Sequence, residues 1–178
     1  MRKILVVVDY QNDFVSGSLG FEGADRLDEG IAKKIMEYGK GNVFYTLDTH
    51  NSRYLESREG KSLPVEHCVI GTDGWLPYGE TGKALEEVEA VRIIKKSFGI
   101  APWKMFMDEL PNANELESIE IVGLVTNICV VSNAVMFQAR YPESQIIVDA
   151  SLCDSFDRDL HYKSLDVLQG LQVKVINR

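Results

Sequence analysis

Short apolar runs rich in β-branched residues recur along the chain, and this pattern constrains the fold more than any other feature of the sequence. The runs lie at 3–9, 43–48, 91–95, 119–124, 145–150 and 171–176. They are almost continuously apolar, which is typical of parallel strands that are covered on both faces. The chain is therefore expected to build a parallel sheet.

Helical patterns separate these runs, at 25–38, 82–88, 102–110, 127–140 and 157–169. Strands that alternate with helices indicate a doubly wound α/β domain. The 178 residues suffice for one core, and neither a linker nor a repeat divides them, so we predict a single domain over 1–178. The polar, turn-rich stretch at 51–80 breaks the alternation, and a loop of this length in a compact domain is usually functional.

Charge and cysteine content exclude several classes of protein. The formal net charge of −8 argues against nonspecific binding to nucleic acid or to an anionic membrane, because both need a basic surface. No stretch approaches transmembrane length, and the apolar run at Ile4–Val8 is too short for the core of a signal peptide. The three cysteines show no CxxC spacing, which favours a reducing compartment. We expect a cytoplasmic protein.

Polar residues stand where the predicted strands end. They are Asp9, Asp48 with His50, Lys95, the stretch 125–129 and Asp149. In parallel α/β sheets, ligands bind beyond the carboxyl ends of the strands. Several of these residues are therefore expected to line one cleft.

Three of them form a set that is suited to nucleophilic catalysis. Cys129 follows two helix-capping residues and falls in the first turn of the predicted helix, where the helix dipole and a nearby lysine favour a thiolate. Asp9 can accept the thiol proton and return it to a leaving group, and Lys95 supplies positive charge. Each residue alone has a simpler interpretation, as a core cysteine, a turn aspartate or a surface lysine. Together they favour catalysis.

A second set has the composition of a metal site. Asp48 and His50 are two residues apart, so on an extended segment their side chains face the same side. His67 follows in the long polar loop, with Glu59 between. A carboxylate with two imidazoles is an ordinary ligand set for a divalent ion, although an Asp-x-His pair alone is more typical of a solvated loop. His161, in a polar helical stretch, is expected to lie on the surface.

Five sequence motifs carry a resemblance to a known family. They are VVVDYQNDF, LDTH, HCVIGTDG, KKSFG and GLVTNICV, and together they span nearly the whole chain. In this order they are similar to those of the isochorismatase-like cysteine hydrolases, and of nicotinamidases in particular. The resemblance implies a Rossmann-like, three-layer domain with a six-stranded parallel sheet and helices on both faces.

The resemblance also implies a reaction and the residues that perform it. It implies a catalytic triad of Asp9, Lys95 and Cys129, and a cis peptide bond at Val125–Thr126 that turns backbone N–H groups, including that of Cys129, toward an oxyanion. Phe14 corresponds to an aromatic residue that stacks on the substrate ring.

The metal site that the resemblance implies consists of Asp48, His50 and His67, with Glu59 as a candidate fourth ligand. Zinc is the favoured ion, with iron and manganese as alternatives. In this interpretation the metal anchors the substrate, for example through a pyridine nitrogen, and does not activate the nucleophile. We also expect a homo-oligomer.

Two departures from the nicotinamidase pattern concern the substrate, and one choice concerns the lysine. Leu63 stands where many nicotinamidases have a tryptophan, and Asn127 stands where many have an aspartate. The family lysine usually precedes an aromatic residue by three positions, so Phe98 selects Lys95, whereas Lys96 would point away from that strand face.

Three functional hypotheses follow. The leading one is a metal-containing cysteine amidase that hydrolyses a small amide, with nicotinamide favoured, and Trp75 or Trp103 is then either a pocket residue or a core residue. The second keeps the triad and changes the substrate to a carbamoyl or ureido amide. The third is a non-catalytic binding protein of the same fold, which the complete triad disfavours. A vinyl-ether hydrolase of the isochorismatase type is disfavoured because those relatives typically lack this cysteine.

Overall fold

The computed structural model describes residues 1–99, 110–112 and 115–178 and contains one sheet of six strands. The strands are β1 (Arg2–Val8), β2 (Val43–Asp48), β3 (Val91–Lys95), β4 (Leu116–Leu124), β5 (Gln145–Asp154) and β6 (Lys174–Ile176). All neighbouring strands are parallel, and their order is β3-β2-β1-β4-β5-β6. The predicted six-stranded parallel sheet is confirmed.

Helices connect the strands. The α-helices are α1 (Asn12–Val15), α2 (Asp28–Tyr38), α3 (Arg58–Ser62), α4 (Gly79–Glu87), α5 (Val131–Arg140) and α6 (Arg158–Gly170). Single 3₁₀ turns lie at Ala24–Leu27, Tyr54–Glu56 and Asp73–Trp75, and a π-helical turn lies at Thr126–Val130. The helix expected at 102–110 falls, except for Leu110, outside the described residues. Among the described residues no helix has the length and apolar character that crossing a membrane requires.

Successive residues of each strand point to opposite sides, so the sheet has two faces, and helices cover both of them. On one side, α5 and α6 bury Phe137 and Leu165 against it. On the other side, α2 and α4 bury Ile31 and Leu85. Each fully buried side chain of this kind stabilises the fold by roughly 1.5–3 kcal/mol. The predicted three-layer arrangement is confirmed.

The strand order places the functional residues. β1 and β4 are neighbours, and the sheet grows outward from them in opposite directions, so a crevice forms at their carboxyl ends. The two backbones approach closely at Gly123, which has a φ of 115° and where an added Cβ would collide with the carbonyl oxygen of Val8. A glycine is therefore required at this position.

Three strand boundaries differ from the sequence prediction by three residues or more. β4 begins at Leu116, three residues before the predicted start. β5 continues to Asp154, so Cys153 lies within the strand and not beyond it. β6 begins only at Lys174, because α6 runs to Gly170 and a turn occupies the next residues.

Candidate active site

The side chains of Asp9, Lys95 and Cys129 meet at the carboxyl edge of the sheet. Lys95 Nζ lies 2.6 Å from Asp9 Oδ2 and 3.6 Å from Cys129 Sγ. It also donates a hydrogen bond of 2.9 Å to the carbonyl oxygen of Ser97. All three members of the set are buried, whereas Lys96 is exposed. The choice of Lys95 from the strand pattern therefore selected the lysine that contacts the thiol.

Backbone geometry and one hydroxyl hold the aspartate in place. Asp9 follows β1 directly and adopts a left-handed conformation with a φ of 46°. Thr46 of β2 donates a hydrogen bond of 2.7 Å to Asp9 Oδ1, and the Asp9 amide donates back to the same hydroxyl over 3.2 Å. One carboxylate oxygen is thus fixed by Thr46, and the other faces Lys95. Sequence reasoning missed Thr46, although a hydroxyl residue in an otherwise apolar strand was the available signal.

Burial dominates the electrostatics of this cluster. Burial raises the pKa of Asp9 although Lys95 opposes it, which suits a proton acceptor. Burial lowers the pKa of Lys95, but the nearby Asp9 and Cys129 outweigh it, so the pKa is raised and the ammonium stays charged. Burial and the Asp9 carboxylate raise the pKa of Cys129 well above its ordinary value, and Lys95 does not offset them. The direction of this shift favours the thiol, in contrast to the expectation that the helix dipole and the lysine favour a thiolate.

The nucleophile candidate lies on a π-helical turn and not in the first turn of a regular α-helix. The Val130 amide donates a hydrogen bond of 3.1 Å to the carbonyl oxygen of Val125, five residues earlier. The cis peptide bond joins Leu124 and Val125, one bond before the expected Val125–Thr126 position. The apolar run continues through Val125, so the sequence pattern does not mark which of these bonds is cis.

Side chains from neighbouring elements tether this turn. Thr126 Oγ1 lies 2.9 Å from His161 Nδ1, and Ser155 donates a hydrogen bond of 2.6 Å to Asn127 Oδ1. The prediction that His161 lies on the surface is wrong: the side chain is 3% exposed, because α6 packs this residue against the turn. Because the neighbouring residues in the sequence are polar, the pattern did not predict that this face of the helix is buried.

A second cluster lies beside the first and contains the predicted metal ligands. Asp48 Oδ2 is 3.0 Å from His50 Nε2 and 3.5 Å from His67 Nε2, and Glu59 Oε1 is 4.0 Å from His50 Nε2. One ligand atom from each of these four residues lies within 4.8 Å of the others. Among the described residues this is the group that could hold a metal ion.

The surroundings of this cluster fit a divalent ion. His67 Nδ1 lies 2.8 Å from the carbonyl oxygen of Val65, and a proton there leaves Nε2 free to ligate. Burial raises the pKa of Asp48, but the nearby His50, His67 and Lys95 outweigh it, so the net pKa is lowered and the carboxylate form is favoured. The ring of Tyr54, which sequence reasoning missed, packs against both imidazoles with centroid distances of 4.5 and 4.8 Å.

The two clusters open onto one cavity of about 460 Å³. Lys95 Nζ lies 3.5 Å from Asp48 Oδ1, which joins the clusters directly. Cys129 forms one wall of the cavity, and Asp48, Glu59 and His67 form another. Most of the other lining is apolar, with Phe14, Leu19, Leu63, Phe98, Ile128 and Phe156. A cavity of this size and character suits a small molecule with an apolar body.

Of three further residues that the sequence analysis singled out, two lie away from this site. Trp75 is half-buried outside the cavity, and its indole N–H donates a hydrogen bond of 2.8 Å to Thr49 Oγ1. Asp149 lies within β5, and its Oδ2 forms an ion pair of 2.7 Å with Lys34. Trp103 lies outside the described residues.

Comparison with known proteins identifies the family. The family model described as the Isochorismatase domain matches residues 3–178. The chain belongs to the isochorismatase family. A comparison with curated proteins gave no match.

Solved structures share the isochorismatase fold of this chain. The nicotinamidase/pyrazinamidase from Bacillus subtilis has a TM-score of 0.83 and 22% identity, covering 98% of this chain and 99% of its own. The pyrazinamidase of Pyrococcus horikoshii in complex with zinc has a TM-score of 0.82 and 19% identity, with 100% of both chains covered. The N-carbamoylsarcosine amidase from Thermoplasma acidophilum has a TM-score of 0.71 and 23% identity, covering 98% of this chain and 95% of its own.

Proposed function

We propose that the chain is a metal-containing cysteine amidase that hydrolyses a small amide, with nicotinamide as the favoured substrate. The observation that carries the proposal is the contact of Lys95 Nζ with both Asp9 and Cys129, beside a cavity that Cys129 lines together with three of the four candidate metal ligands. Structures of nicotinamidases with the same fold support the choice of substrate.

The first half of the reaction forms a thioester. Asp9 accepts the proton of the Cys129 thiol, the sulfur bonds to the amide carbon, and the carbonyl π electrons move to oxygen. Backbone N–H groups of the π-helical turn, including that of Cys129, hold this oxyanion, and such a donor stabilises the transition state by about 3 kcal/mol. The tetrahedral intermediate then breaks its C–N bond, and ammonia leaves with the proton from Asp9.

The second half regenerates the enzyme. Asp9 takes a proton from water, and the hydroxyl bonds to the thioester carbon. The C–S bond breaks, the sulfur takes the proton back from Asp9 to restore the thiol of Cys129, and the carboxylic acid leaves. The Lys95 ammonium balances the negative charge, which lies first on Asp9 and then on the sulfur and the oxyanion.

Asp48, His50 and His67 would hold the metal, with Glu59 as the candidate fourth ligand. When bound, a divalent ion supplies an electrophilic anchor for a lone pair of the substrate, such as a pyridine nitrogen. Two imidazoles with carboxylates favour zinc, and iron and manganese accept the same ligands. A zinc complex of a pyrazinamidase with this fold supports the assignment.

Ammonia release from nicotinamide tests this function directly. The protein should release ammonia and nicotinate in equal amounts, and Cys129→Ala should release neither. Cys153→Ala is the matched control, because this thiol is equally buried but lies away from Asp9 and Lys95. A Cys129→Ala protein that retains turnover would rule out the thioester route.

A carbamoyl or ureido amide is the second candidate substrate, and the pocket composition favours it. Leu63, and not a tryptophan, lines the cavity, so one flat wall for an aromatic ring is missing. The fold is also that of an N-carbamoylsarcosine amidase. Activity on such a compound alone would keep the triad and replace the substrate. The cytoplasmic location and the homo-oligomer stay predictions.

A further inference from the structure

We propose that His161 is a positioning residue, which holds the π-helical turn Thr126–Val130 in the orientation that presents its N–H groups to the oxyanion. It acts through the hydroxyl of Thr126, and it does not touch the reacting atoms. The inference rests on the proposed function of this turn.

Distance and burial support a specific contact. His161 Nδ1 lies 2.9 Å from Thr126 Oγ1, and the two side chains are 3% and 0% exposed. A polar pair that is fully buried is held in one arrangement, because either partner left alone would lose a hydrogen bond without gaining water. Burial lowers the pKa of His161, and Arg158 and Arg178 contribute to this in opposition to Asp154, so the ring is neutral.

The turn depends on such tethers more than a regular helix end does. No side chain caps the N–H groups at its start. The Val125 carbonyl accepts two hydrogen bonds, from the Ile128 amide and from the Val130 amide five residues further on, so these two amides are paired within the turn. Side-chain contacts on the buried side therefore help to fix the direction of the first amides, and His161 makes one of these contacts from α6. The Ser155–Asn127 hydrogen bond makes another.

A matched pair of substitutions tests whether the position of the polar side-chain atom matters, and not only its presence. His161→Asn keeps a polar atom near the place of Nδ1, whereas His161→Gln keeps one near the place of Nε2. We expect the Gln variant to lose about tenfold in kcat, as for one buried hydrogen bond, with KM nearly unchanged. The Asn variant should stay within about twofold of the parent.

A reversible aldehyde probe tests the turn even if no amide is hydrolysed. Pyridine-3-carboxaldehyde adds to a thiol: the C–S bond forms, the carbonyl π pair moves to oxygen, and the thiol proton ends on that oxygen. The product is tetrahedral and places its oxygen where the oxyanion would stand. His161→Gln should weaken its binding about tenfold, and His161→Asn should not. The rate of Cys129 alkylation by iodoacetamide, which creates no oxyanion, should be unchanged in both variants.

Thr126→Val provides a second route to the same contact if the His161→Gln variant does not fold. It should weaken aldehyde binding as His161→Gln does, and Thr126→Ser should restore it. In the Thr126→Val background, His161→Gln should have no further effect.

Equal aldehyde affinity in the parent, the His161→Gln variant and the Thr126→Val variant would overturn the proposal. Parallel losses of aldehyde binding, alkylation and thermal stability would overturn it too, since they indicate a purely structural role. Loss of amide turnover in the parent, with the aldehyde pattern intact, would count only against the amidase.

Discussion

A fully buried ion pair is the central feature at the scale of single residues. The strand pattern and Phe98 together predicted Lys95 over Lys96, because alternate residues of a strand share a face. The same reasoning did not identify the partners of Thr46 or Tyr54, since their contacts join strands and loops that are distant in sequence. Charge and hydrophobic periodicity reveal which side a residue faces but not which partner it meets there.

Removal of the lysine should destabilise the fold as well as stop turnover. In Lys95→Met the Asp9 carboxylate stays buried without its cation, and breaking such a pair lowers the free energy of unfolding by about 3–5 kcal/mol. Lys96→Met, which changes an exposed side chain, should stay within about 0.5 kcal/mol of the parent. Urea unfolding measures both. The double variant Asp9→Asn/Lys95→Met should regain most of the stability, and a double variant as unstable as the single one would contradict the pairing.

The raised pKa of Asp9 predicts the acid limb of the pH–rate profile. Asp9 accepts a proton only when ionised, so kcat/KM should fall as the pH drops through its pKa. Because burial raises that pKa, the fall should begin above about pH 4, where an exposed aspartate titrates. Metal content measured at each pH controls for loss of the ion. An acid limb at or below pH 4, with the metal retained, would mean that another group is the base.

Cys129 should be the first of the three thiols to react with iodoacetamide at neutral pH. Burial raises the pKa of all three, but Cys129 lines the 460 Å³ cavity and has Asp9 close enough to accept its proton. Cys68 is fully buried, and Cys153 is buried within strand β5. Mass spectrometry of labelled peptides gives the order. Asp9→Asn should slow labelling of Cys129, and faster labelling of Cys68 than of Cys129 would contradict the assignment.

At the scale of elements, the ends of strands are where prediction succeeded and turns are where it failed. The apolar runs located each strand to within a few residues, and the polar residues at their ends included Asp9, Lys95 and the first two candidate metal ligands, Asp48 and His50. The π-helical turn and the position of the cis bond after β4 could not be predicted, because both depend on how the chain leaves the sheet and packs under α6. The buried face of α6 was not predicted either, because the residues around His161 in the sequence are polar.

The candidate metal site joins β2 to the loop that follows it, so we expect metal binding to stabilise the folded protein. His50 pairs with Val69 in an isolated parallel bridge, so the loop returns to the strand beside the ligands. The protein should contain about one divalent ion per chain, and His50→Ala should lose it. Glu59→Gln should weaken binding less, since Glu59 is the more distant ligand.

Elemental analysis and thermal unfolding with and without a chelator measure this effect, since an ion that binds only the folded state stabilises it by RT ln(1 + c/Kd), where c is the free ion concentration. Glu56→Gln is the control: the residue lies in the same loop, is exposed and pairs with Arg53. Chelation that changes neither the melting temperature nor the metal content of the parent would remove the metal from the proposal.

At the scale of the whole molecule, the site exists because the parallel topology brings four strand ends together. Asp9 follows β1, Asp48 ends β2, Lys95 ends β3 and Cys129 follows β4, so residues spread over most of the chain meet in one crevice. Sequence reasoning could predict this convergence from the doubly wound pattern. It could not predict the apolar lining by Phe156 and its neighbours, since these residues come from loops whose paths no periodicity specifies.

Substrate preference depends on the whole cavity, and substitution of Leu63 tests it. We expect nicotinamide to be hydrolysed with a raised KM, because Leu63 leaves one face of the ring without an aromatic partner. Leu63→Trp should lower that KM roughly two- to tenfold, since an aromatic pair contributes about 0.5–1.5 kcal/mol beyond burial. Leu63 is 38% exposed, which gives the larger ring room. Leu63→Met, similar in size but not aromatic, is the control and should change little.

The same assay with other amides separates ring stacking from metal anchoring. Pyrazinamide keeps a ring nitrogen and should behave like nicotinamide, whereas benzamide has no nitrogen for the metal and should be the poorest aromatic substrate. Leu63→Trp should improve benzamide as much as nicotinamide, because stacking does not depend on the nitrogen. Equal kcat/KM values for benzamide and nicotinamide in the parent would show that the metal does not anchor the ring. Turnover of an aliphatic carbamoyl compound alone, unaffected by Leu63→Trp, would replace nicotinamide with the carbamoyl class while leaving Asp9, Lys95 and Cys129 in their proposed roles.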